Sequence, residues 1–306
     1  MTKANIIHSI RQKLLNISSK REIDYNIILI WYALERLLYR LSKSRYSDRY
    51  ILKGAMLFSL WSGKTFRPTK DMDFLGYGES SSEYLKGVFT EIIQIKDEQD
   101  DGLIFLSESL DVKPIREEQE YGGQRITVLA LLGTARIRLQ IDVGFGDAIT
   151  PSPQKVQYPT LLEMSAPEIL TYNRETVIAE KFHAINVLGL TSSRMKDYYD
   201  VWILSKQFEF DGNLLAHAIQ KTFERRKTPI PSELPLGLTQ EFYSDNIILT
   251  RWNSFVNKIE LTVVEKSLEA VIQSLQVFFS DIIKAISGGR DFKYTWDKTQ
   301  WNESIK

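Results

Sequence analysis

In the run ARIRLQIDVGFGD, residues 135–147, the apolar Ile137, Leu139, Ile141 and Val143 alternate with Arg136, Arg138, Gln140 and Asp142. A period of two belongs to an extended strand, whose side chains step to opposite faces, so this run demands a sheet with one apolar and one polar face. Asp142 stands on the polar face. Two further strand-like runs precede it, GLIFLSESLDVKPI and RITVLALLG, and two short ones, RYILKG and DMDFLGYG, surround the helical AMLFSLW. Residues 22–43 follow a helical period through Ile27, Ile30, Trp31, Leu34, Leu37, Leu38 and Leu41, and SSEYLKGVFTEIIQI reads as a helix opened by serines. Beyond Pro159 the pattern turns mainly helical, in RETVIAEKFHAINVLG, KDYYDVWILSKQF, LLAHAIQKTFERR and EKSLEAVIQSLQVFFSDIIKAI. The proline-containing runs TPSPQKVQYP and TPIPSELPLG read as a boundary and a surface loop. The expectation is an α+β protein, a sheet domain over residues 1–159 followed by a mainly helical domain over 160–306.

A chain of 306 residues with 43% hydrophobic side chains can bury the cores of two such domains. It has no cysteine, which excludes disulfides, thiolate zinc sites and a catalytic thiol, and suits a reducing cytoplasm, the expected location. Arg11 and Lys13 break any signal-peptide core, and the apolar run YNIILIWYALERLLYRL is interrupted by Glu35, Arg36 and Arg40, so membrane insertion is not expected. Net charge is zero but unevenly spread: residues 36–70 carry nine bases against one acid, and residues 79–120 carry twelve acids against four bases. The basic block is either a phosphate-holding surface or a solvated face.

Asp71 and Asp73 in DMDF point to one side of their strand, with Met72 and Phe74 on the other. Were this strand to lie beside the one carrying Asp142, three carboxylates would converge on one open sheet face. Hard oxygen ligands with room left for water and phosphate suit one or two magnesium ions, or manganese in their place. A solvated acidic turn is the alternative.

In the helical half, Lys181 falls in the middle of an apolar stripe of Val177, Ile178, Ile185 and Leu188. It either snorkels to the edge or is directed into a cleft. Asp197 shares a face with Val201 and Leu204; it is either a helix-start acid, with Ser192 or Ser193 as cap, or an interior charge.

Together these segments carry a resemblance. LKGAMLFSLW…FRPTKDMDF, IDVGFGD, VIAEKFHAI and SRMKDYYDVWIL, in that order over about half the chain, are similar to the four motifs of the AbiEii/AbiGii toxin family, which includes the MenT toxins. The resemblance implies a polymerase-β-like nucleotidyltransferase fold and metal-dependent transfer of a nucleotide from an NTP. It also implies service in a toxin–antitoxin or phage-defence system, with a cognate antitoxin as partner and an RNA acceptor, the 3′ end of tRNA. It assigns Asp71, Asp73 and Asp142 to the metal and the catalytic set, joined by Lys181 and Asp197. Lys53, Gly54, Arg67, Lys70 and Lys196 become the nucleotide contacts. Two positions depart from the family pattern, Ala55 after Gly54 in place of a second glycine, and Pro68. Transfer to a protein hydroxyl, or nucleotide or partner binding without turnover, are the other functions such a chain can serve.

WSGKT lacks the first glycine of a phosphate-binding P-loop, and His8, His183 and His217 have no metal-ligand spacing. The C-terminal GGRDFKYTWDKTQW interleaves bases and aromatics, suited either to stacking on nucleic-acid bases or to packing the chain end onto its own domain.

Overall fold

The computed structural model describes residues 2–63, 69–96, 99–115, 122–258 and 265–304. Arg67, Pro68 and the end of the WSGKT run lie outside the described residues. The chain divides into two compact units, Met1–Gly146 with Gln154–Tyr172, and Asp147–Pro153 with Asn173–Lys306.

The first unit runs α1 (Lys3–Arg21), α2 (Tyr25–Ser42), β1 (Tyr50–Lys53), α3 (Met56–Ser62), β2 (Asp71–Gly76), α4 (Ser82–Gln94), β3 (Leu103–Ile115), β4 (Gly123–Leu132), β5 (Ala135–Phe145), β6 (Gln154–Gln157) and β7 (Glu168–Thr171). All seven strands join one mixed sheet in the order β3-β4-β5-β2-β1-β7-β6. The alternation in β5 is realised as expected: Ile137, Leu139, Ile141 and Val143 are at most 3% exposed. Met72 and Phe74 of β2 and Ile126, Val128 and Ala130 of β4 join them on the buried face. α2 and α4 bury their apolar stripes in the same unit, and Ser81 caps α4 by accepting from the amide of Tyr84.

Two features of this unit differ from the sequence reading. The proline-containing run after residue 150 carries β6, which pairs antiparallel with β7, and β7 in turn lies parallel to β1. The basic block, moreover, is partly consumed by the core. Arg36 and Arg40 are buried; Arg40 pairs with Asp101 at 2.6 Å and Arg36 donates to the carbonyl of Ser165 at 2.8 Å. The neighbouring Glu35 accepts from the Leu161 amide at 2.6 Å. The charges that break the apolar run of α2 are therefore structural ties, each held by at least one hydrogen bond or ion pair inside the fold.

The second unit contains α5 (Arg174–Leu188), α6 (Met195–Gln207), β8 (Phe210–Asp211), α7 (Gly212–Arg225), α8 (Gln240–Ser244), α9 (Asn246–Lys258), α10 (Leu268–Ser287), β9 (Tyr294–Trp296) and β10 (Trp301–Glu303). By length and composition α10 is apolar enough to cross a membrane. It serves instead as a core helix, with Val271, Ile272, Leu275, Phe278, Phe279 and Ile282 completely buried. The aromatic tail packs onto this unit. Phe292 and Trp296 are buried, Trp296 donates its indole N–H to the carbonyl of Ser205 at 2.6 Å, and Trp301 donates to that of Phe278 at 2.8 Å. Phe292 and Trp296, committed in this way, have no faces left for bases, whereas Tyr294 stays exposed.

Candidate active site

β2 and β5 are parallel neighbours, and their register sets Asp71 beside Gln140 and Asp73 beside Asp142. Residues paired in register share a sheet face, so Asp71, Asp73 and Asp142 project together on the side opposite the core. Ligand oxygens of the three lie within 4.8 Å of one another, and all three side chains are half-buried. Each close pair of carboxylates at that separation repels by on the order of 3 kcal/mol at an effective dielectric constant of about 20, so the trio needs compensating charge.

The sheet itself supplies part of that charge. Arg125 of β4 lies in register with Asp142, and Lys53 of β1 lies in register with Asp73. One row across β4, β5, β2 and β1 therefore reads Arg125, Asp142, Asp73, Lys53, with the acids at its centre. Arg125 grips Asp142 with both ends of its fork, Nε to Oδ1 at 2.8 Å and Nη2 to Oδ2 at 2.7 Å, while the Gln140 amide donates to the same Oδ2 at 3.3 Å. Asp142 holds the Arg125 guanidinium above its ordinary pKa, with smaller contributions from Asp71 and Asp73. Asp71 Oδ1 accepts from the hydroxyl of Thr69 at 2.6 Å.

Gly54 explains how Asp73 fits. It follows β1 with φ of +74°, and a Cβ placed there would overlap the carboxylate of Asp73, coming within 2.7 Å of its Cγ. Both the left-handed backbone and the close approach require glycine. Lys70, just before β2, and Lys196, near the start of α6, are exposed.

The donor set suits a divalent ion: three hard oxygen ligands, incompletely buried, with an approach kept clear by Gly54. Such an ion has to contend with the fork of Arg125 on Asp142 and with the Gln140 and Thr69 hydrogen bonds to the same trio.

The second unit holds the other expected residues. Lys181, on α5, keeps 13% of its side chain exposed, and its ammonium donates to Asp197 Oδ1 at 2.7 Å and Asp200 Oδ2 at 2.8 Å, both carboxylates being almost fully buried. Arg194 Nε adds a bond to Asp197 Oδ2 at 2.6 Å. Burial alone would raise the pKa of Asp197, but Lys181 and Arg194 overcome it and hold the carboxyl below its ordinary value. Lys181 thus turns inward rather than snorkelling. Asp197 is an interior charge; no side chain caps α6, and Ser192 accepts instead from the amide of Arg194.

His183, also on α5, is a buried structural residue. Arg226 donates to its Nδ1 at 3.2 Å, which leaves the proton on Nε2, 2.8 Å from the Thr228 hydroxyl. Burial and then the Arg226 charge push its pKa down to about 4. Arg226 in turn pairs with Asp147 at 2.8 Å and approaches Glu180 at 3.9 Å.

Sequence reasoning passed over Arg125, Arg194 and Asp200. The signal for Arg125 was present. Gly133 and Thr134 join β4 to β5 as a two-residue turn, and counting back from Leu132 opposite Ala135 places Arg125 against Asp142. Asp200 lies one helical turn after Asp197, the spacing that puts both on one face.

A mixed α+β sheet that gathers three carboxylates from adjacent strands onto one open face is the arrangement that the resemblance implies for a nucleotidyltransferase. The chain belongs to the family described as nucleotidyl transferase AbiEii toxin of type IV toxin–antitoxin systems, which it matches over residues 36–274. That span includes the acidic trio, Arg125, and the Lys181 cluster. Among solved structures, JHP933 from Helicobacter pylori is 17% identical, with a TM-score of 0.49 over 84% of this chain and 92% of that one. A provisionally designated nucleotidyltransferase from the same organism is 15% identical, with a TM-score of 0.43 over 85% and 96%. No curated protein sequence matches the chain.

Proposed function

We propose that this protein transfers a nucleotide from an NTP to an RNA acceptor, the 3′ end of tRNA, as the toxin of a toxin–antitoxin pair. The observation that carries the transferase reading is the convergence of Asp71, Asp73 and Asp142 within 4.8 Å on one sheet face. These residues would hold magnesium or manganese, which supplies positive charge against phosphoryl oxygens when bound. Gly54 keeps the approach to Asp73 open, and Lys53 and Lys70 offer cations to the nucleotide. Asp142 acts as a holding group rather than as a base, since both of its oxygens accept from Arg125 and a carboxylate so occupied is a poor proton acceptor. Lys181 carries the family's motif lysine, and Asp197 and Asp200 fix its ammonium. The family's type IV toxin–antitoxin description supports a cognate antitoxin as partner.

The test is incubation of the purified protein with total tRNA, Mg²⁺ and each α-labelled NTP in turn, beside Asp71→Ala and Lys181→Ala. Label on RNA, reduced at least about 100-fold in Asp71→Ala as expected for loss of a group that stabilises transition-state charge, supports the reading and names the nucleotide. Label on protein would replace the acceptor with a side-chain hydroxyl. Label on neither, from folded protein, would overturn the transferase reading.

A further inference from the structure

Arg125 is placed where a metal-binding carboxylate would normally be left open. It donates to both oxygens of Asp142, at 2.8 and 2.7 Å, and it comes from the strand next to β5, so the pair is set by sheet register rather than by a wandering surface side chain. Its side chain is 45% exposed whereas that of Asp142 is 16% exposed, so the cation lies on the solvent side of the acid it holds. A guanidinium stays charged at any pH a protein survives, so an arriving cation has to compete with it for the carboxylate.

From this geometry we infer that Arg125 is a built-in counter-cation, which holds Asp142 until a divalent ion arrives and competes with that ion for the carboxylate. It is a positioning residue rather than a catalytic one. The inference rests on the reading of the trio as an ion site. Lys53, in register with Asp73 on the other side, completes a row in which two bases flank two acids. With Asp71 the group of five carries three negative and two positive formal charges, so the sheet leaves a single negative charge uncompensated in place of three. Compensation lets the acids fold together in the absence of an ion, and it lowers the affinity for that ion. The bidentate fork matters here: it occupies both oxygens of Asp142, whereas a lysine at the same position could occupy one.

Isothermal titration calorimetry with MnCl₂ on the full chain, comparing native protein with Arg125→Gln, Arg125→Lys and Asp73→Ala, tests the inference without reference to turnover. Native protein is expected to bind Mn²⁺ with a heat that Asp73→Ala abolishes. Arg125→Gln is expected to bind roughly twofold to fivefold more tightly, the scale of one half-exposed charge pair, and Arg125→Lys to fall between it and native protein. Arg125→Gln binding no more tightly than native protein, while giving a native circular dichroism spectrum, would overturn the competition. If Arg125→Gln does not fold, Arg125→Lys decides: tighter binding supports the inference, and equal or weaker binding overturns it. If native protein and Asp73→Ala bind indistinguishably, the ion-site reading fails and this inference fails with it, a result set apart because it would not depend on residue 125.

Discussion

Two charged clusters, one in each unit, use the same residue types to opposite ends. On the sheet, Asp71, Asp73 and Asp142 are half-buried and outnumber their cations, and the oxygens gather on an open face. Between α5 and α6, Asp197 and Asp200 are almost fully buried and balanced by Lys181 and Arg194. An excess of like charge in partial contact with water is tolerable and invites an exchangeable counter-ion. A balanced set whose acids are out of water is a fixed joint, because removing a partner of either acid strands its charge in a medium that cannot solvate it. The contrast separates a site that binds from a framework that holds a lysine in place.

The largest expected effect lies in the closed cluster. Asp197→Ala takes a buried acid away from both Lys181 and Arg194, and should lower unfolding free energy by about 3 kcal/mol or more, as measured by urea denaturation. A loss below about 1 kcal/mol, the range of exposed pairs, would break the comparison by making this cluster as open as the other. Gly54→Ala comes next. The added Cβ meets the Asp73 carboxylate, and φ is +74°, so a cost of about 1–3 kcal/mol is expected from backbone strain, together with loss of Mn²⁺ binding. If the variant is fully stable and still binds the ion, glycine is not what makes room for Asp73.

A pH titration sharpens the comparison within the second unit. His183 has its folded pKa pushed down to about 4 from an ordinary 6.5, so the folded state binds this proton less readily than the unfolded chain. Stability should be flat above about pH 6.5 and fall as pH drops from there toward 4, and His183→Gln should remove that slope. Arg226 and Asp147 are the charged groups whose fields act on the same imidazole. The depressed carboxyl of Asp197 gives its own loss at lower pH still. An unchanged slope in His183→Gln would assign the window to other groups. The smallest effect belongs to the open cluster: Asp71→Ala should change stability without added ion by no more than about 1 kcal/mol, since it removes repulsion along with a hydrogen bond.

Much of this was legible in the sequence, because strand period and helix period report which side chains share a face. The alternation in residues 135–147 fixed the side on which Asp142 stands, and the spacing of Asp71 and Asp73 did the same for β2. Lys181 was conspicuous on its apolar stripe. What the sequence did not disclose was which charges meet. Lys181 and Asp197 meet each other, whereas their periodicity placed each on an apolar face and left open whether it turns inward. Arg36 and Arg40 read as part of a basic face because composition cannot tell a solvated arginine from one whose acid lies sixty residues away at Asp101. α1 escaped notice because its buried stripe is thin, Ile10, Leu14 and Ser18. The terminal hairpin escaped because its aromatics suit bases and cores equally well.

The most direct test of the division between the two clusters is a thermal melt with and without Mn²⁺ on native protein, Asp73→Ala and Asp197→Asn. The expected result is that the ion raises the melting temperature of native protein and of the less stable Asp197→Asn, and leaves Asp73→Ala unmoved, because only a native-state binding site converts ion into stability. An ion-dependent rise that survives Asp73→Ala and disappears in Asp197→Asn would contradict the account, placing the ion in the helical cluster rather than on the sheet.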